Sequence, residues 1–182
     1  VMVSGILTPV SAKNYTYPPR FAEILDEVTG GYEKVPPPVE LLLSGRDRFL
    51  GALNRHFVKK VKAMKYLLEL EEWDFFMGVL HPLDAVQHYF WHFMDVNHPL
   101  YKKEEAKKYG NVIKDWYKKV DELIGDILKI IDDDVYFILV SDHGHGPSYY
   151  TLYINDWLYR KGYLKLAGGK RVKLEPLIRT LK

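Results

Sequence analysis

Asp84 and His88 stand four residues apart in the segment Leu-Asp-Ala-Val-Gln-His-Tyr-Phe-Trp-His, whose apolar spacing reads as a helix. Side chains at i and i+4 share one helix face, so a carboxylate and an imidazole placed there can grip one divalent cation from the same side. Oxygen and nitrogen donors without thiolate suit zinc or manganese. The plainer alternatives are an Asp favoured in the first turn by the helix dipole and a histidine satisfied within the packing. A second pair, Asp142-His143, directly follows the apolar run 135–140. A carboxylate buried at a strand end is costly unless it is paired or bound to metal. Gly144 and Gly146 let the backbone there turn sharply and approach a ligand. The plainer alternative is a tight turn in which Asp142 caps the following amides. Of the remaining histidines, His81 can line a pocket and His145 can contact substrate. His92 shares the face of His88, and His56 and His98 suit packing or surface roles.

These residues need elements to position them. Residues 73–80 (Trp-Asp-Phe-Phe-Met-Gly-Val-Leu) and 135–140 are mostly apolar runs of strand length, the pattern of strands buried on both faces of a parallel sheet. Between them lie a helical segment over 83–94 and a second, charge-rich helix over 101–131. Strand, helix, helix, strand is a βαβ rhythm, so an α/β fold with a largely parallel sheet is expected. In such sheets ligands gather beyond the carboxyl ends of the strands, where both histidine clusters fall. Upstream, 20–28 reads as a short helix stopped by Gly30-Gly31, and 32–35 as a short strand ended by three prolines. A long helix over 46–69 carries Phe49, Leu53, Phe57, Val61, Met64 and Leu68 on one stripe. Downstream, 154–162 reads as a short helix, and 163–182 as a hairpin around Gly168-Gly169 with a final helical turn.

Composition narrows the function classes. A chain of 182 residues, 47% hydrophobic and 27% charged, can bury a substantial core. Its longest apolar runs fall far short of the roughly 20 residues a membrane span needs. A net charge of +2 gives no case for a nucleic-acid polymer as partner. The absence of cysteine excludes disulfides, thiolate zinc sites and a cysteine nucleophile. No leader pattern is seen near Val1, so a cytoplasmic location is expected.

Ser141-Asp142-His143-Gly144, with Gly146-Pro147, Ile154-Asn155-Asp156-Trp157-Leu158 and Gly162-Tyr163-Leu164, closely resembles the type I phosphodiesterase/nucleotide pyrophosphatase family of the alkaline phosphatase superfamily. So does Asp84-Ala85-Val86-Gln87-His88 with Phe90-Trp91 and Asp95, and so do Met2-Val3-Ser4-Gly5 and Thr16-Tyr17-Pro18-Pro19. The resemblance spans nearly the whole chain. It implies an alkaline-phosphatase-like, mostly parallel sheet flanked by helices, incomplete at both ends, with residues 1–182 forming one partial catalytic domain. It also implies two divalent metal ions, zinc or manganese. Asp84 and His88 would hold one with a further histidine beyond Lys182; Asp142 and His143 would hold the other with an aspartate and a hydroxyl nucleophile that lie before Val1. His145 and His81 would contact substrate, and no catalytic nucleophile is identified within the chain. Two ligands per ion are half of a four-coordinate site, so metal binding would be weakened. The expected chemistry is hydrolysis of phosphate esters or diesters; the alternative is an inactive metal-binding remnant with an interaction role. Uncovered sheet edges would favour a homo-oligomer or a complementing fragment as partner.

Overall fold

The computed structural model describes residues 1–70, 73–165 and 178–180. Its elements in chain order are strands β1 (Met2–Val3) and β2 (Thr16–Tyr17), helix α1 (Phe21–Thr29), a 3₁₀ segment (Val39–Ser44), and helices α2 (Arg46–Leu70), α3 (Pro82–Met94), α4 (Lys103–Tyr109) and α5 (Val112–Ile130). Strand β3 (Tyr150–Leu152), helix α6 (Ile154–Arg160) and strand β4 (Ile178–Thr180) complete them. The chain divides into two compact units, 1–86 with 114–140, and 87–113 with 141–182.

In the first unit α2 is the spine. Phe49, Leu53, Phe57 and Leu68 of the expected stripe are buried, joined by Ala52, His56 and Ala63, while Val61 and Met64 are half-buried. Each buried Phe or Leu contributes about 1.5–3 kcal/mol over the exposed state. Helix α1 and the 3₁₀ segment pack on α2, with Phe21 and Leu25 fully enclosed. Helix α5 adds Trp116, whose ring meets Phe57 edge-on at 5.4 Å, and Lys119, whose ammonium donates to Asn54 Oδ1.

Gly30 ends α1 in the left-handed region at φ 70°, and Gly31 N–H donates to Asp26 O at 2.7 Å, the expected glycine stop. The strand expected over 32–35 does not form. Tyr32 N–H is taken by the Asp26 carboxylate at 2.7 Å and its ring stacks on Tyr15, so this backbone is committed to a turn.

His56 is 1% exposed, and neither ring nitrogen has a hydrogen-bond partner. Glu33 Oε2 approaches Nδ1 only to 3.9 Å, while Glu33 Oε1 is held by Lys59 and Arg55. Burial, reinforced by the Lys60 charge and His81 and opposed by Glu33, pushes the His56 imidazole down to about 4.

Residues 73–80 and 135–140, expected as strands, form no strand here and lie largely open. Phe75 is 80% exposed and Ile138 is 77% exposed, and among the described residues neither run joins a backbone ladder. The sheets described are two antiparallel pairs, β1 with β2 and β3 with β4. The parallel sheet is therefore not formed among the described residues. An apolar strand is held by neighbours on both edges and both faces, and among the described residues neither run has a strand along its edges.

In the second unit Phe90 and Phe93, one turn apart on α3, close on Tyr109 of α4 at 5.8 and 5.1 Å. The helix expected over 101–131 is broken at Gly110. A Cβ there would lie 2.6 Å from Ala106 O and 3.3 Å from Phe93 O, so only glycine lets the chain pass against α3 and begin α5 afresh. Helix α6 forms where expected, and Gly162 follows it at φ 79°. The hairpin expected around Gly168-Gly169 lies outside the described residues.

Candidate metal centre

Helix α3 begins with Pro82 at its first position, where a missing N–H costs nothing, and the ring is fully buried. Asp84 sits in the first turn and His88 one turn later, on one face as their spacing requires. Val86, Phe90 and Phe93 take the opposite face into packing, which fixes the helix rotation and leaves His88 exposed. Ligand atoms of Asp84 and His88 come within 4.8 Å along the helix, and those of His88 and His145 do the same.

His145 enters from the loop that precedes β3. Its half-buried ring meets His88 edge-on, with centroids 4.7 Å apart at 68°, and lies 5.2 Å from the ring of His143. Three imidazoles thus gather within the second unit. A carboxylate with two imidazoles, leaving further positions open, is a donor set that fits zinc, manganese or a similar divalent ion.

The second expected pair is less assembled. Asp142 is 89% exposed, so the burial cost expected for it at a strand end does not arise. Its Oδ2 lies 3.7 Å from His143 Nε2, and His143 Nδ1 is 3.0 Å from Gly144 O. Ser141 Oγ donates to His143 O at 2.7 Å and tightens the turn. Among the described residues, no group of three or more ligand side chains includes Asp142 or His143.

His81, expected to line a substrate pocket, does line a cavity of about 940 Å³ in the first unit, beside Lys60, Trp73 and Phe76. Asp84 and the other expected metal ligands are not among its lining residues. The His92 ring lies 3.9 Å from that of Phe93, tilted by 43°, and 5.8 Å from that of His98, a packing role. His145, read from the sequence as a substrate contact, is here a candidate donor beside His88. It stands far along the chain from His88, and no local period links the two.

The model of the type I phosphodiesterase/nucleotide pyrophosphatase family matches residues 2–181. No curated protein and no solved structure matches the chain significantly. With a match from the second residue to the last but one, and with α3 and the 141–147 loop carrying the ligand-type residues, the chain belongs to the type I phosphodiesterase/nucleotide pyrophosphatase family.

Proposed function

We propose that this chain forms part of a metal-dependent hydrolase of phosphate esters and diesters, with Asp84, His88 and His145 as the ligands of one divalent ion. The observation that carries this reading is the meeting of His88 and His145 at 4.7 Å, with Asp84 one turn before His88 on the same helix. Asp142 and His143 are the ligands we assign to a second ion, which needs donors beyond these two. When bound, divalent ions of this kind neutralise charge on the attacking and leaving oxygens of an in-line phosphoryl displacement. The chain's own contribution is to orient the imidazoles and to keep the carboxylate of Asp84 one turn before His88 on the same helix. We assign no nucleophile within the chain, and the hydroxyl is expected from elsewhere in the active assembly. His81 remains our candidate for a substrate contact, supported by its place in a half-apolar cavity.

Hydrolysis of an aryl phosphodiester and an aryl phosphomonoester, with zinc and then with manganese, tests the reading. In an assembly that supplies the hydroxyl, turnover that falls about 100-fold in Asp84→Asn is the expected result. Turnover indifferent to Asp84→Asn and His145→Ala would overturn it.

The exposure of Asp142 favours a second reading, a metal-binding module whose role is association. The open apolar runs 73–80 and 135–140 support association with a second copy of the chain in either case. Among the described residues, no helix is long and apolar enough to cross a membrane.

A further inference from the structure

The turn that follows α3 takes hold of the His145 loop at two points. His98 is 7% exposed. Its Nδ1 accepts the Leu100 N–H at 3.1 Å, so that nitrogen carries no proton, and the ring proton lies on Nε2. Nε2 in turn donates to the carbonyl of Ser148 at 3.1 Å. Asp95 makes the second hold. One of its oxygens accepts Asn97 N–H at 3.0 Å and shapes the turn, and the other accepts the phenol of Tyr149 at 3.3 Å. The two holds brace each other: His98 N–H donates to Asp95 O at 3.0 Å, and the rings of His98 and Tyr149 lie 5.5 Å apart. Partial loss of hydration, with the Asp95 carboxylate beside it, raises the Tyr149 phenol above its ordinary range and keeps it a donor at neutral pH.

Ser148 and Tyr149 are three and four residues beyond His145. His145 itself is half-buried against the rings of His88 and His143. Nothing lies within 4 Å of where a Cβ would stand on Gly144 or Gly146. Between two glycines the backbone is conformationally free, so the next firm attachment along the chain helps to set where His145 stands. That attachment is the turn 95–98, which continues directly from the helix that carries His88. One element therefore supplies one imidazole and fixes the distance to the other.

We infer that Asp95 and His98 are positioning residues that set His145 against His88, and so govern the affinity of a divalent cation held there. The inference rests on the reading of these histidines as a metal site and adds residues that touch neither metal nor substrate. Outer partners of this kind, when removed, cost about 10- to 100-fold in metal affinity.

The test is titration of the chain with zinc alone, followed calorimetrically, for the parent and for His98→Leu, His98→Gln, Tyr149→Phe and His145→Ala. Melting in a chelator is recorded for each, and visible spectra are taken with cobalt(II) in place of zinc. His98→Leu should weaken zinc about 10-fold and shift the cobalt(II) spectrum, and Tyr149→Phe should weaken it several-fold with the melting temperature nearly unchanged. His98→Gln, whose side-chain amide can donate to the Ser148 carbonyl, should recover most of the affinity, which a purely structural role would not require. If His98→Leu does not fold, Tyr149→Phe decides alone. Parental zinc affinity and cobalt(II) spectra in Tyr149→Phe and in a folded His98→Leu, alongside a loss in His145→Ala, would sink the positioning role and leave the metal site standing. Parental affinity in His145→Ala would remove the metal site and the positioning role together.

Discussion

As the ligands we propose, Asp84 would act through its charge and His88 through a ring nitrogen, so each is replaceable in shape without being replaceable in function. Asp84→Asn keeps the volume and loses the charge; zinc affinity measured by calorimetry should fall by about 10-fold or more, while the melting temperature in a chelator stays within about 2 °C. His56 gives the opposite case, an imidazole with no visible ligand and a large cost. Its pKa in the folded chain is lowered to about 4 from an ordinary 6.5, so between those values the unfolded chain binds a proton that the folded chain refuses. The unfolded state then holds more protons, and stability falls as pH drops from about 6.5 toward 4, by on the order of 2 kcal/mol. His56→Leu should flatten this stretch of a melting-temperature against pH curve. It should also not lower stability at pH 7, because a buried imidazole without hydrogen bonds is exchanged for an apolar side chain. A steep acid limb retained in His56→Leu would place the acid lability elsewhere.

Elements built from local spacing were legible; elements that depend on distant partners were not. The α2 stripe is a 3.6-residue period written in the chain itself, and Phe49, Leu53 and Phe57 are buried as that period requires. Phe57→Ala should cost about 3–5 kcal/mol by urea denaturation, because it removes a buried ring and its edge contact with Trp116. Three glycines fall within helical stretches, Gly51, Gly110 and Gly125, and nothing local distinguishes the one that breaks a helix. Gly51 and Gly125 face open space, whereas Gly110 meets the Phe93 carbonyl. Gly110→Ala should therefore cost about 1–3 kcal/mol in the same assay, and Gly125→Ala should be neutral or stabilising. The site divides along the same line. The Asp84–His88 pair is a helical spacing, visible at once. The place of His145 depends on hydrogen bonds to Ser148 and Tyr149 from a turn some 50 residues earlier, which no local pattern announces.

At the scale of the whole molecule, family membership carries an alkaline-phosphatase-like α/β fold, and the described residues are mostly helical with two short antiparallel pairs. The apolar runs 73–80 and 135–140 announced themselves as strands because their composition is local. Their ladders were not legible, because hydrogen bonds across strand edges belong to whatever lies beside them. Side chains such as Phe75, Met77, Ile138 and Val140 are exposed as a result. A net charge of only +2 offers little repulsion against association through them. Sedimentation velocity across a hundredfold range of concentration should show self-association, weakened in a Phe75→Lys, Ile138→Lys double variant. A monomer at every concentration would count against the second copy.

The same open runs set a clock on the backbone. Amide hydrogens survive in heavy water only where a hydrogen bond must break before they are released. Those of 75–80 and 136–140 should be replaced by deuterium at nearly the rate of an unfolded peptide, while amides in the buried turns of α2 persist far longer. If the chain later finds a neighbour, slowed deuterium uptake along these two short stretches will mark which strand edge was taken, and in what order.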